Sequence, residues 1–125
     1  MSPQRIQRKR TKGWKMPPNC KYVGRPGPYA NPFSVKVWGR EGAVQMYRWG
    51  CEGNWQALKD HSRANCGFVL WSMPRIVRYF LCIRRNVHEL RQYKYLCCWC
   101  PLTDANGNHV PCHVDVLIEM LRKEN

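Results

Sequence analysis

Acidic residues are scarce in this sequence. Asp and Glu together number 8 against 21 Lys and Arg, which gives a formal net charge of +13, and the first carboxylate in the chain is Glu41. This balance excludes an acidic or charge-neutral scaffold, because self-repulsion at such a charge opposes the compact state unless an anionic partner relieves it. The composition therefore predicts a polyanionic partner.

Long apolar runs are also missing. The longest apolar stretch, Ile76–Ile83, is interrupted by Arg78 and is far shorter than the roughly 20 residues that cross a bilayer. The basic N-terminal residues are not followed by an apolar run, as they would be in a secretory signal. We therefore expect no membrane partner and a cytoplasmic location, where the 8 cysteines would stay reduced.

Glycine-rich nucleotide motifs are absent as well: the chain has neither a Gly-x-Gly-x-x-Gly fingerprint nor a phosphate-binding loop. The pattern instead indicates one domain over residues 1–125, in which residues 1–12 either contain a strand at Arg5–Arg10 or form a flexible basic arm. The other predicted elements are a short strand at Lys21–Val23, a helix at Gly39–Trp49 that Gly50 ends, a helical turn at Asn54–Lys59, a helix at Met73–Arg91, a strand at Tyr93–Trp99, a loop at Pro101–Pro111 and a helix at Cys112–Arg122. This order predicts an α/β or α+β fold with a short central sheet flanked by helices.

Apolar residues at three- and four-residue spacing predict the buried faces of these helices. In the longest predicted helix the apolar residues are Ile76, Val77, Phe80, Leu81, Val87 and Leu90. In the predicted helix Gly39–Trp49 they are Ala43, Val44, Met46 and Tyr47. In the predicted helix Cys112–Arg122 they are Val116, Leu117, Met120 and Leu121.

The cysteines near the C-terminus form the strongest local signal. Cys98 and Cys100 flank a tryptophan at the end of the last predicted strand, and Cys112 and His113 begin the last predicted helix. Thiolate and imidazole are the ligands that Zn²⁺ prefers, and four of them complete a tetrahedron. The sequence therefore predicts a zinc site at this strand–helix junction, with His109 as a rival for the fourth ligand.

Two other interpretations of these cysteines remain open. Free cysteines are among the most buried residue types, so they can be small apolar side chains of a buried strand. Alternatively, Cys112 can be a reactive thiol, because a helix N-terminus lowers the pKa of a cysteine placed there.

Basic and aromatic residues alternate through the Pro-rich segment 13–33 and the residues before it. Lys and Arg neutralise phosphates while aromatic faces stack on exposed bases, so this pattern is typical of a nucleic-acid surface. The competing interpretation is a solvated charged face. The candidate contacts in this segment are Arg10, Lys12, Trp14, Tyr22, Arg25, Pro32 and Phe33.

Two motifs in combination resemble a known family. Gly24-Arg25-Pro26 leads to Asn31-Pro32-Phe33, and Cys98-Trp99-Cys100-Pro101 leads to Cys112-His113. This combination resembles a family of small proteins, common in bacteriophages, that is catalogued as domain of unknown function four-three-two-six. The resemblance runs nearly end to end and is weakest over residues 51–72. Tyr29-Ala30 stands where the family more often has Trp-Gly.

The resemblance implies an α/β domain with one site built from both motifs. Part of the family is associated with phage DNA that contains 7-deazaguanine bases, as a methylase of their aminomethyl group. This implies DNA as substrate, S-adenosylmethionine as methyl donor and the host cytoplasm as location. Asn31 would then be catalytic in a pocket shaped by Arg25 and Phe33.

Methylation also requires a base, because the amine must lose its proton before it attacks. Asp115, Glu41 and His113 are the candidates for that role. Two alternatives to the methyltransferase stay open: a non-catalytic nucleic-acid-binding module stabilised by zinc, and a thiol-dependent enzyme that uses Cys112.

Overall fold

A small parallel sheet lies at the centre of the computed structural model, which describes residues 2–66 and 73–123. Strand β1 covers Gln4–Gln7, β2 covers Cys20–Tyr22 and β3 covers Tyr95–Cys98, in the order β1-β3-β2. Both pairings are parallel, and Ile6 and Tyr22 each lie opposite Cys97. The last strand is the middle one, and its residues Leu96, Cys97 and Cys98 are accordingly buried.

Helices form the crossover between β2 and β3, as parallel strands require, and the last helix of the chain packs against β1 and β3. The helices are α1 at Val35–Trp38, α2 at Arg40–Glu52, α3 at Trp55–Cys66, α4 at Met73–Asn86, a 3₁₀ helix at Val87–Gln92, and α5 at His113–Lys123. The predicted mixed fold with a short central sheet is confirmed. In the described ranges no helix is long and apolar enough to cross a membrane.

Helix α2 carries much of the core, and its end corrects one prediction. Gly50 does not end this helix, which continues to Glu52 and stops at Gly53, where φ is 77°. Gly50 is instead a packing residue, because a Cβ there would lie 2.5 Å from the Phe80 ring. Tyr47, one turn earlier, is fully buried and donates a hydrogen bond to the Tyr29 carbonyl at 2.7 Å.

Two other helix predictions need correction. The single helix expected at Met73–Arg91 changes to a 3₁₀ helix after Asn86, and Leu81 is 45% exposed while Ile83 is buried. The short turn expected at Asn54–Lys59 is the start of the longer α3, because the Asn54 side chain caps this helix by accepting the Ala57 amide at 3.2 Å.

The N-terminal segment begins in the sheet, since β1 occupies Gln4–Gln7. The Arg5 side chain is only 6% exposed and pairs with Asp115 at 3.0 Å. Its guanidinium also donates to the carbonyls of Pro101 and Val110, at 2.9 and 2.7 Å. This part of residues 1–12 is therefore bound to the C-terminal half of the domain and is not an arm.

The packing of Gly50 against Phe80 yields a stability prediction. We expect Gly50→Ala to lower the free energy of unfolding by about 1–3 kcal/mol, because the added methyl overpacks the core. Gly42→Ala is the matched control in the same helix: its Cβ would lie 3.8 Å from the Trp38 Cβ, an ordinary contact, so it should raise stability by about 0.5–1 kcal/mol. Denaturant unfolding of both variants measures this, and equal effects would contradict the packing account.

Candidate metal centre and its pocket

The carboxyl ends of the three strands lie at one edge of the sheet, and the candidate site is built there. Beyond β1, the Arg8 amide donates to the Cys98 carbonyl at 2.8 Å, and beyond β2, the Val23 amide donates to the Cys97 carbonyl at 2.9 Å. Cys100 follows the end of β3, and Cys112 immediately precedes α5. The parallel topology therefore gathers both sequence motifs at this edge.

Three of the four predicted metal ligands converge. The sulfurs of Cys98, Cys100 and Cys112 all lie within 4.8 Å of one another, and the first and last are 3.1 Å apart. Zinc–sulfur bonds of about 2.3 Å at tetrahedral angles place sulfurs about 3.8 Å apart. The sulfurs of Cys98 and Cys112 would therefore need to move only slightly apart to accommodate the ion. These three cysteines can hold a metal, and we call them the thiol cluster.

Hydrogen bonding within the thiol cluster favours the thiolate form of Cys100 over that of its two neighbours. The pKa of Cys100 is lowered because the thiols of Cys112 and Cys98 donate hydrogen bonds to its sulfur, and the Arg40 guanidinium adds a further bond. The hydrogen bond to Cys100 raises the pKa of Cys98 to about 11. The pKa of Cys112 is raised by its hydrogen bonds with Cys100 and Cys98 and by burial. The lowered pKa expected for Cys112 at the helix N-terminus is therefore wrong. A metal must displace the protons of Cys98 and Cys112, so its affinity falls with acidification.

His113, the fourth predicted ligand, lies beside the thiol cluster. Its Nε2 is 2.7 Å from the Val23 carbonyl, and because a carbonyl only accepts, this nitrogen carries the proton. Burial lowers the pKa of His113, so the ring is neutral. The remaining nitrogen, Nδ1, is 3.5 Å from the Cys112 sulfur, but His113 does not belong to the close group of ligand atoms.

The other histidine candidate, His109, is held elsewhere. Its Nε2 is 2.8 Å from an Asp115 carboxylate oxygen, and that same oxygen accepts the Cys112 amide at 3.1 Å and pairs with Arg5. Asp115 thus caps the start of α5, and its hydrogen bond to the Cys112 amide holds the backbone of Cys112 in place. His109 is a partner of Asp115 and is not a rival ligand in this arrangement.

A pocket of about 210 Å³ opens onto the thiol cluster. Its lining comprises Tyr22, Gly24, Arg25, Asn31, Phe33, Val35, Arg40, Val44, Cys98, Trp99, Cys100, Cys112 and His113. Within the described part of the chain no acidic residue lines it, while Arg25 and Arg40 supply positive charge. The pocket is therefore mostly apolar, cationic and bordered on one side by potential metal ligands.

The predicted substrate contacts divide into two groups. Tyr22, Arg25 and Phe33 line the pocket, whereas Pro32, Trp14, Lys12 and Arg10 are outside its lining. Among the excluded residues, Lys12 is exposed and Trp14 is half-buried, and Arg10 lies over the ring of Trp99 at 4.7 Å.

The predicted catalytic residues do not present free groups to the pocket. The Asn31 side chain donates to the Ala43 carbonyl at 3.0 Å and accepts the Phe33 amide at 2.9 Å, which closes an Asx turn. The Asn31 carbonyl in turn accepts two bonds from Arg25, at 3.0 and 2.7 Å. Asp115 and the exposed Glu41 do not line the pocket. Asn31 is thus a residue that shapes the pocket wall.

Sequence reasoning missed several pocket residues. Arg40 begins a helix and touches the thiol cluster only through the tertiary fold. Trp99 was visible between two predicted ligands, and its position there was a signal that it borders the same site. Gly24 had a signal too, its place in the Gly24-Arg25-Pro26 motif. The structure gives the reason for a glycine, because a Cβ there would lie 2.6 Å from the Tyr22 hydroxyl.

Comparison with protein families assigns this chain. The family model described as "Domain of unknown function (DUF4326)" matches residues 6–123. The chain belongs to this family. Comparison with curated proteins and with solved structures gave no significant match. The family's match extends over both motifs that form the pocket.

The thiol cluster predicts metal binding that can be titrated. We expect reduced protein to bind about one Zn²⁺ per chain, and Cys100→Ser to weaken binding by more than the roughly 10- to 100-fold that loss of an outer-shell partner costs. Cys82→Ser is the matched control, because Cys82 is an exposed cysteine of α4 outside the cluster. Competition with a chromophoric chelator measures each affinity. Wild-type protein that binds no zinc, or equal weakening by both variants, would contradict the assignment.

Proposed function

We propose that this protein is an enzyme that modifies a base in DNA, with zinc bound by Cys98, Cys100 and Cys112 at its reaction centre. One observation carries the proposal: the thiol cluster forms a wall of the pocket whose other charged residues, Arg25 and Arg40, are both cations. A metal-ligand set beside a cationic, partly aromatic pocket suits a planar base attached to a polyanion. In this proposal the protein works in the host cytoplasm, where DNA is accessible.

The chemistry of the ligands favours zinc. Thiolates select soft or borderline metals such as zinc, and three protein ligands leave one coordination position for water or substrate, as in catalytic zinc sites. Zinc bound there would supply a Lewis acid at the pocket wall. Arg40, next to Cys100, would offset part of the negative charge of three thiolates.

The other pocket residues would hold the base. Tyr22, Phe33 and Trp99 provide aromatic surface, and Val44 adds an apolar wall that excludes water. The pocket is smaller than the range of about 300–1,000 Å³ that is usual for drug-sized ligands. A single base therefore fits the pocket better than an extended cofactor.

The most concrete substrate is the aminomethyl group of a 7-deazaguanine, which the family resemblance implies as a methyl acceptor. Such an amine must lose a proton before it attacks. Of the three bases predicted for this step, only His113 lines the pocket, and its Nδ1 is the unprotonated nitrogen. We therefore assign proton acceptance to His113 in this proposal, in place of Asp115 and Glu41.

The implied methyl donor, S-adenosylmethionine, fits this pocket poorly. A donor site needs groups that accept hydrogen bonds from the ribose hydroxyls and tolerate the sulfonium charge, and among the described lining residues no carboxylate does so. Arg25 and Arg40 would repel the sulfonium. We derive no step through this donor, and the pocket is assigned to the base alone.

A second candidate function is a nucleic-acid-binding module with a structural zinc ion. The observation that favours it is the use of Asn31: both polar groups of its side chain are committed to the Asx turn and to the Ala43 carbonyl. With Asp115 paired to Arg5 as well, the structure could serve binding without a reaction.

Nucleoside analysis tests the enzymatic proposal. DNA from cells that express the protein beside a 7-deazaguanine pathway should contain a 7-deazaguanine nucleoside of altered mass that is absent without the protein, detected by mass spectrometry. We expect Cys100→Ser to abolish this product and Cys82→Ser to leave it unchanged. A DNA-binding protein that retains zinc and yields no altered nucleoside would overturn the enzymatic proposal and support the binding module.

A further inference from the structure

Aromatic rings and guanidinium groups alternate at the mouth of the pocket. The Arg8 guanidinium carbon lies 4.8 Å from the ring centroid of Tyr22 and 4.8 Å from that of Trp99. The Arg10 guanidinium carbon lies 4.7 Å from the Trp99 centroid. We call these four residues the arginine–aromatic stack. Its geometry is that of successive cation–π contacts.

The two arginines of the stack have no carboxylate partner among residues 2–66 and 73–123. Ion pairs in these ranges instead engage other arginines, as in Arg5 with Asp115 and Arg48 with Glu119. Stacking on a ring uses the face of a guanidinium and leaves its N–H donors free to bind an anion. Part of the entropic cost of ordering these long side chains is therefore met before any anion binds.

The stack is joined directly to the proposed reaction centre. Tyr22 and Trp99 both line the pocket, and Trp99 is 38% exposed between the two ligands Cys98 and Cys100. The backbone amide of Arg8 is bonded to the Cys98 carbonyl at 2.8 Å. An anion bound by Arg8 and Arg10 would consequently lie next to a base bound in the pocket.

We infer that the arginine–aromatic stack binds a phosphodiester of the DNA strand adjacent to the base held in the pocket. This inference rests on the proposed function and adds the form of its substrate: a nucleotide within a strand, with its base unpaired. A concave pocket admits a base only when that base has left the helical stack, as in single-stranded DNA or a flipped nucleotide. The guanidinium groups of Arg8 and Arg10 would then favour binding of a nucleotide within a strand over binding of a free base.

Binding of a short single-stranded DNA oligomer, measured by fluorescence anisotropy at several salt concentrations, tests this inference. We expect Arg8→Gln and Arg10→Gln each to weaken binding by about 3- to 10-fold and to reduce the salt slope by about 0.7, the value for one lost phosphate contact with a single strand. Arg122→Gln is the charge-matched control, because Arg122 lies about 14 Å along α5 from His113. This control should change the affinity less than twofold.

Trp99→Ala distinguishes binding by the ordered stack from binding by net positive charge alone. This variant keeps the net charge but removes the ring that orders both guanidiniums, so we expect about 3- to 10-fold weaker binding. Trp99→Phe, which keeps an aromatic face, should restore most of the affinity. Thermal unfolding of the zinc-loaded variants confirms that they are folded, and the arginine variants provide a test that leaves the metal ligands untouched.

The outcomes for the stack and for the enzyme are distinguishable. Weaker binding by the stack variants supports the inference even if no altered nucleoside is found, in which case only the enzymatic proposal falls. Wild-type affinity and salt slope in the Arg8, Arg10 and Trp99 variants, or equal losses in Arg122→Gln, would overturn the inference. Tighter binding of duplex DNA or of a single-stranded RNA of the same sequence would overturn it as well.

Discussion

The buried guanidinium of Arg5 joins the two ends of the molecule, and the candidate site depends on this connection. Arg5 belongs to β1, yet it binds the carbonyls of Pro101 and Val110 at the two ends of one loop and the carboxylate of Asp115 in α5. That loop separates Cys100 from Cys112. By holding both ends and the capping carboxylate, Arg5 places the two sulfurs near each other. A paired charge of this kind is costly to break, because its partner would be left buried.

The distribution of charge around the site follows a consistent physical logic. Carboxylates are few in this chain, and those near the centre are used for structure: Asp115 caps α5 and pairs with Arg5. The pocket is left with cations, a neutral histidine and the thiol cluster. The proposed metal site and the proposed anion-binding stack are therefore separated by only a few side chains, as a base attached to a phosphate backbone would require.

Local patterns in the sequence were sufficient to predict part of this arrangement. The spacing of Cys98, Cys100 and Cys112 predicted their convergence, because a strand end and a helix start in an α/β fold meet at the same edge. The apolar periodicity likewise predicted that Tyr47 and Leu117 are buried, which the structure confirms. These features depend on short-range order along the chain, which a single sequence expresses directly.

Features that depend on distant contacts could not be predicted in this way. Gly50 is a common helix-ending residue type, and only the approach of Phe80 shows why it lies inside α2. The commitment of Asp115 to Arg5 requires a contact across 110 positions. The same holds for the pKa of Cys112, where two neighbouring thiols outweigh the helix terminus. Asp115 was a candidate base because the sequence has few carboxylates. In the structure its carboxylate caps α5 and pairs with Arg5.

The central claim is that three thiols hold zinc with one coordination position facing the pocket. X-ray absorption at the zinc edge of the loaded protein tests this claim most directly. The account predicts three sulfur ligands at about 2.3 Å and one oxygen ligand at about 2.0–2.2 Å, without the signal of a coordinated imidazole. A shell of four sulfurs, or one made only of nitrogen and oxygen, would contradict it.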